Sequence, residues 1–599
     1  MVSQGPQHLL RVPTPTQRSL TFCEASPNGL KHWLDQLPRA KLGEVARLLY
    51  QGLMEINQLI QPNDMRLRLL ELLRPEVYRT CTLLERHVLD QPIVLDERSR
   101  KVANLCQALQ NHLAAGYKLV VTEELAASSR DRNTLLPLAL QRALRSLQGP
   151  LIRAALLYTP ASDHLWLELH QLFLLAQRLN LHTQRIRDDL VQRPDGQSPQ
   201  EAYCAALLFG TARCNQIRQR QIIQLVEYLD RWASLVQLKP ADQADVLFVV
   251  APQIDAPARY RTLLKEANLK GLLGLSTHSL VGQISDYLAL PPEERSRARL
   301  PAQPDISTDL LQHVRAAWGQ ESDRAFQRTS GQGRLEVCIG MSALHFHLSG
   351  RLPFAQTLNL PAPPAAKPDF APAQKADVWS LAFDAEYNTS EPGDTLEEIR
   401  YETPGTVQSQ EPELDKTYPL FSLPIVNHSP GGYCVSWPNE VPDQLQAGEV
   451  VGLRGTNEHS WGIAVIRWIR QVRGGGTQMG LELLAPTARP CGLQLLRKAE
   501  QNSQYLRGLL LPEIKAIDQA PTLIAPRLPF QEGSKVQINQ NGMEQQGMLT
   551  HRQSATVSFS IFEYRLLESA SPPPPKPGKE GAGSPSAHED DFDSLWKSL

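Results

Sequence analysis

No two of the eight cysteines in this chain stand in a C-x-x-C pair: they fall at Cys23, Cys81, Cys106, Cys204, Cys214, Cys338, Cys434 and Cys491. That spacing excludes a zinc ribbon and a thioredoxin motif. Most sit among apolar neighbours and read as buried thiols, a pattern that fits a reducing compartment. A basic surplus is also missing. Lys and Arg number 61 against 63 Asp and Glu, a formal net charge of −2. A general DNA or RNA binder would carry a positive excess, so only local basic patches stay open. No apolar run approaches the ~18 residues of a membrane helix. The start, "MVSQGPQHLLRVPTPTQRSL", has no apolar core of signal-peptide length. The expectation is a cytoplasmic protein without a membrane span. Enzyme signatures are missing too: there is no G-x-x-x-x-G-K-[ST] loop, no H-E-x-x-H and no G-x-S-x-G. "RGGGTQMG" is glycine-rich but joins two strand-like runs, whereas a phosphate cradle needs a helix N-terminus after it. No catalytic or metal-ligating residue is assigned, and an enzyme is not expected.

What is present is a globular composition over 599 residues, 42% hydrophobic and 21% charged, long enough for several domains. The expected fold class is multidomain α+β. Residues 1–25 form a lead, and 26–240 an α-helical bundle or repeat-like domain. Val45, Leu49, Leu53, Ile56 and Ile60 recur at helical spacing, as do Val102, Leu105, Leu109, Leu113, Tyr117 and Val120. "TPASDHLWLELHQLFLLAQRL" predicts a helix capped at Ser162 or Asp163. A mixed connecting region, 241–320, has a buried strand around Val246, Phe248 and Val250 and then a helix in "STDLLQHVRAAWGQ".

The second half reads as β. "GRLEVCIGMSALHFHLSG" (333–350) predicts one strand, with Leu335, Val337 and Ile339 alternating. His345 and His347 then share a strand face, a pair too small for a metal site and better read as ordinary strand residues. Residues 351–415 are Pro/Ala-rich and then acidic, and predict a disordered insertion. After it, "YPLFSLPIV", "YCVSW", "EVVGLRG", "WGIAVIRWIRQV" and "TQMGLELL" are short strands separated by turn residues, which suggests a small antiparallel barrel over 321–350 and 416–495. A spacer and a small extra β unit come next, over 496–568. Its Asn541-Gly542 is a hairpin signal, and Val557, Phe559 and Ile561 alternate. The tail, 569–599, is disordered by composition but ends in "DDFDSLWKSL". There Phe592, Leu595, Trp596 and Leu599 fall on one face of a short helix. Two readings stand side by side: docking to a protein partner, or packing on the chain's own surface.

The turn "NHSPGG" between two of these strands matches [D/N]-x-S-x-x-G through Asn427, Ser429 and Gly432. With the "G-x-x-V" strand at Gly448–Val451 and the later "MGLELL", this region resembles the PilZ family, bacterial receptors for cyclic di-GMP. The resemblance covers about 330–495. It implies a β-barrel whose turn works with an upstream R-x-x-x-R segment. Two such segments occur, Arg324/Arg328 and Arg295/Arg299. The first is preferred because a Gly-containing turn and a strand come directly after it. The chemistry is compatible: guanidinium groups bind phosphate oxygens bidentately and read guanine edges. The Asn427 amide oxygen can accept from guanine N–H groups, and Ser429 adds a hydroxyl. Gly431 and Gly432 give positive φ and a close approach to the backbone.

The resemblance therefore implies a cyclic di-GMP effector that acts through protein partners, held by the helical domain or the tail, in surface attachment, pili or flagellar motility. A different class also fits: a scaffold whose barrel has lost its ligand.

Overall fold

A computed structural model describes residues 10–127, 132–191, 195–264, 269–302, 306–319, 328–360, 417–438, 441–456, 458–474, 476–496, 503–513 and 520–567. The first half is helical as expected: α1 (Pro27–Asp35), α2 (Leu42–Gln58), α3 (Asn63–Glu85), α4 (Glu97–Ala126), α5 (Arg132–Leu156), α6 (Leu165–Arg178), α7 (Pro199–Thr211) and α8 (Gln219–Trp232). Successive helices pack pairwise, α3 on α4 and α4 on α5, through the apolar stripes read from the sequence. Leu49, Leu53, Ile56, Leu109, Leu113, Tyr117 and Val120 are all buried. α7 starts with a capping box, in which the Ser198 hydroxyl accepts from Glu201 N and the Glu201 carboxylate accepts from Ser198 N.

The cap of α6 departs from expectation. Its N-cap is His164, in a left-handed conformation (φ 70°), and not Ser162 or Asp163. The free amides at this end are satisfied from another part of the chain. The Asp255 carboxylate accepts from His164 N at 2.6 Å and from Trp166 N at 3.0 Å. A cap supplied from far away in sequence is invisible to a local motif.

The connecting region holds a four-stranded sheet. Its strands are β1 (Gln237–Pro240), β2 (Phe248–Val250), β3 (Arg259–Tyr260) and β4 (Leu273–Ser276), in the order β1-β4-β2-β3. Two helices come after it, α9 (His278–Ala289) and α10 (Thr308–Gly319).

The first barrel is built from β5 (Thr329–Ser330), β6 (Arg334–Ile339), β7 (Phe421–Ser429), β8 (Gly432–Trp437), β9 (Val450–Gly455), β10 (Gly462–Val472) and β11 (Gly476–Ala485). Hydrogen-bonded pairing runs β7-β6-β9-β10-β11-β8, and β8 pairs back onto β7, so the ring closes. β5 sits outside the ring, on the β7 edge.

One expectation fails here. Residues 333–350 are not a single strand. β6 stops at Ile339, Gly340 takes φ 87°, and the chain turns into α11 (Gly340–Leu348). The apolar run continues because Met341, Leu344 and Phe346 are buried in the seam between this barrel and the next, against Leu509, Ile524 and Phe559. A run buried on all sides loses its period, so strand and helix cannot be told apart from the pattern. His345 and His347 thus lie on a helix. His345 Nε2 meets Cys491 O at 3.3 Å, and His347 Nε2 meets Tyr418 O at 3.1 Å. Burial, with the nearby Arg507 charge, pushes His345 down to about 3. Among the described residues no His/Cys/Asp/Glu group could hold a metal.

The second β unit is larger than expected. It is a closed six-stranded barrel, ordered β12-β13-β14-β17-β16-β15. Its strands are β12 (Arg489–Leu495), β13 (Leu506–Leu511), β14 (Thr522–Pro526), β15 (Lys535–Gln540), β16 (Met543–Ala555) and β17 (Phe559–Leu566). Residues 489–495, read with the first barrel, pair instead with β13 and β15. The stretch read as a spacer carries β13 and β14, because a sheet this small avoids raw edges only by closing. The Asn541-Gly542 turn joins β15 and β16 as expected, with both residues at positive φ.

The 351–415 insertion starts in ordered form. α12 (Phe354–Thr357) packs with Leu358 against Tyr505. Residues 361–416, and the tail with Phe592, Leu595, Trp596 and Leu599, lie outside the described residues. Among the described residues no helix is long and apolar enough to cross a membrane.

Candidate functional site

The β7–β8 hairpin turns through Pro430 and Gly431, with Ser429 paired to Gly432. Pro430 supplies the fixed φ that a tight turn favours. The positive φ falls on Gly432 (φ 153°), and the reason is close approach: a Cβ there would lie 1.9 Å from Leu481 O. Gly431 contributes its carbonyl, which accepts from Leu483 N at 3.0 Å. A register shift between Ile425 and Asn427 leaves Val426 as an extra residue. Such a bulge twists the strand and re-aims the side chains beyond it. Asn427 and Ser429, two apart, then share one face and line one cavity.

Arg328 reaches the same cavity through backbone pairing. It immediately precedes β5, whose Thr329 pairs with His428 and Ser330 with Asn427. Gly331 N donates to Val426 O at 3.1 Å. A Cβ on Gly331 would sit 2.2 Å from Ile425 Cγ2, so the lead-in lies flat on β7 only because that residue is glycine. Among the residues singled out from the sequence, Arg328, Asn427, Ser429, Gly431 and Gly432 come together around a cavity of about 240 Å³. Arg324 lies outside the described residues. The alternative pair is elsewhere: Arg295 stacks over Tyr287 and donates to Leu290 O, and neither it nor Arg299 lines the cavity.

The opposite wall was not legible in advance. It comes from β8, β10 and β11: Tyr433, Arg467, Trp468, Gly480, Leu481 and Glu482. The Trp468 indole lies over Gly480, where a Cβ would be 2.0 Å from the ring nitrogen. The Arg470 guanidinium sits 5.1 Å from the Trp468 ring centroid and donates to Gln478 Oε1 at 2.7 Å. Arg467 pairs with Glu482 through two contacts, one at 3.1 Å (Nη2–Oε1). Both partners are about half exposed, so the pair orients the side chains more than it stabilises the fold. The one visible signal was "RWIR", which puts Trp468 and Arg470 on one strand face. The β10–β11 register that brings that face to the turn, with its own shift at Arg467, is tertiary.

Cys434 reports the local field. Burial pushes its thiol up, while Arg470 and Arg328 pull it down. The cavity therefore combines positive charge, an indole face, an amide, a hydroxyl and exposed backbone. It can hold an anionic ligand with a planar, hydrogen-bonding base.

Comparison with known proteins decides the lineage. Residues 28–243 match the family model "Cyclic-di-GMP receptor FimW, N-terminal domain", 247–490 the "middle PilZ domain" of the same receptor, and 491–567 the "FimW C-terminal beta-barrel domain". The cyclic-di-GMP receptor FimW of Pseudomonas aeruginosa is 55% identical over 609 residues, covering all of both chains. The chain belongs to the FimW family. The FimW middle domain takes in β2, β3 and β4 of the four-stranded sheet as well as the first barrel, while β1 falls in the match to the N-terminal domain, and every residue lining the turn cavity lies within the middle domain. The second barrel coincides with the FimW C-terminal domain. No solved structure matches the chain.

Proposed function

We propose that this chain binds cyclic di-GMP in the cavity between Arg328 and the Asn427–Gly432 turn, and acts as an effector and not as an enzyme. The observation that carries the reading is the β5–β7 ladder, which holds Arg328 beside Asn427. Arg328 takes a phosphate, Asn427 and Ser429 read a guanine edge, and the Trp468 indole offers a stacking face. A cavity of about 240 Å³ is below the ~300 Å³ at which pockets for drug-sized ligands begin. The rest of the ligand therefore projects outward, and Arg324, four residues before Arg328 in the sequence, is the candidate for the second phosphate.

The route to an output is β10. It lines the cavity at Arg467 and Trp468, and a few residues on it grips the helical domain. Gln471 N donates to Tyr158 O at 2.7 Å, and Gln471 Nε2 donates to Ile93 O at 2.7 Å. Ligand at Arg467 and Trp468 changes the footing of the bundle at Gln471, three residues along the same strand. The output is a protein contact made in the cytoplasm, in surface attachment or pilus- or flagellum-driven motility.

Calorimetric titration of cyclic di-GMP into the full chain tests the reading, with Arg328→Ala and Ser429→Ala alongside. Saturable heat in the parent and its loss in both variants is the expected result. No heat in the parent would leave the scaffold reading in its place. Incubation with cyclic di-GMP should return the nucleotide unhydrolysed.

A further inference from the structure

A cavity larger than the one at the turn lies elsewhere in the middle domain. It measures about 440 Å³ and lies where the C-terminal end of α11, the β9–β10 connection and the β11–β12 connection meet. Its polar lining is His347, Arg351, Arg454, His459, Ser460 and Thr487, around the Trp461 ring. No lining residue is acidic among those described. Its formal positive charge comes from Arg351 and Arg454, the latter paired with Glu336, and the Ser460 and Thr487 hydroxyls add donors.

Two features make the lining rigid. Arg454 is clamped, with Nε donating to Glu336 Oε2 at 2.6 Å and its guanidinium 4.6 Å from the Trp461 centroid. The His347 ring covers the same indole, centroids 5.4 Å apart. Trp461 is thereby buried and its faces are occupied, so it serves as a wall and not as a stacking platform. The second feature is Arg351, a non-glycine residue at φ 68° directly after Gly350 at φ 72°. Such a conformation in a long side chain is uncommon, and residues held that way cluster at ligand sites.

The carbonyl end of α11 would repel an anion if left bare. It is capped: Gly350 N donates to His347 O at 3.4 Å, Arg351 N to Phe346 O at 2.9 Å, and Ser349 Oγ to His345 O at 2.6 Å. The cap neutralises the helix end and presents the Arg351 side chain at the rim. We infer that this cavity is a second ligand site, for a small phosphate-bearing anion, held by Arg351 and Arg454 with the Ser460 and Thr487 hydroxyls. Guanidinium forks beside hydroxyl donors match phosphate oxygens. With no free aromatic face, the site selects for the phosphate and not for a base. It uses none of the residues of the turn cavity.

Calorimetric titration of inorganic pyrophosphate into the full chain is the test. Saturable binding with Kd in the range of ~0.1–1 mM is expected, as for a few charge-assisted contacts. Arg351→Gly is the informative variant, because glycine adopts φ 68° freely. It should weaken pyrophosphate binding about tenfold or more and leave cyclic di-GMP binding intact. Arg328→Ala should leave pyrophosphate binding unchanged. If Arg351→Gly folds poorly, Thr487→Val carries the same comparison. No saturable binding below ~10 mM, parent-like binding in the folded variant, or loss of pyrophosphate binding in Arg328→Ala would each overturn the inference.

Discussion

The two barrels close in the same way and differ in what they enclose and carry. The second holds a small aliphatic and aromatic core, Cys491, Leu493, Leu523, Phe530, Val536, Ile538, Leu549 and Phe562. The first shares one continuous core with the helical domain, running from the bundle through Val337, Val435, Val451 and Ile466. It also carries charged side chains on its strands, the helices α11 and α12 between β6 and β7, and the two cavities described above. The lesson is that closure sets the scaffold and interruptions set the chemistry. The extra residues at Val426 and Arg467 re-aim side chains toward the turn cavity, and α11 builds one wall of the other.

The comparison breaks most visibly if the second barrel is emptied. Phe562 is fully buried there, and Phe562→Ala should cost about 3–5 kcal/mol. A separate low-temperature transition is expected in calorimetric melts, with cyclic di-GMP still raising the later one. A single transition shifted as a whole would mean that the barrels fold as one unit, coupled through the Arg218, Glu449 and Ser558 contacts.

Removing function from the first barrel without unfolding it is the next step. Arg328 is exposed, so Arg328→Ala should leave the melting temperature alone. Its effect on cyclic di-GMP affinity should be ~100-fold, about 3 kcal/mol for a lost charge-assisted phosphate contact.

The bundle answers to acid through a buried carboxylate, Asp188. Burial alone would raise the Asp188 carboxyl, but Arg74 at 2.8 Å and Arg142 at 2.9 Å hold it down at about 2, below its ordinary 3.8. A depressed carboxyl contributes stability that is full above its unfolded value and is lost as pH falls through the folded one. The bundle should therefore lose about 2 kcal/mol between pH ~4 and pH ~2. Far-UV circular dichroism should record helix loss in that window, and Asp188→Asn should show its destabilisation already at neutral pH.

The smallest effect is expected at the rim between barrel and bundle. Arg473 pairs with Asp163, and both are more than half exposed. Arg473→Ala should change stability by at most ~1 kcal/mol and should do less at high salt. A larger loss in a urea titration would mean that this pair is part of the β10 coupling.

Much of the turn cavity was legible in the chain. "NHSPGG" between two alternating runs marked the hairpin, and the strand directly after Arg328 distinguished it from Arg299. The opposite wall was not, because Trp468 and Arg467 reach the turn only through the β10–β11 register and its shift. α11 was missed because a run buried between two barrels shows no period. β13 and β14 were missed because short strands beside prolines resemble a spacer until their partners are known.

By itself, the sequence determined the order of a helical half and a β half, the apolar stripes of the helices, the turn with its glycines, and the family resemblance. These rest on local rules: helical period, strand alternation, turn chemistry. Only the tertiary structure decided that Arg328 lies on β7 beside Asn427, that Asp255 caps α6, that β12 belongs to the second barrel, and that Arg351 and Arg454 face one cavity. Each of these joins residues far apart in the chain, and which distant partner wins depends on burial and hydrogen-bond satisfaction across the whole fold.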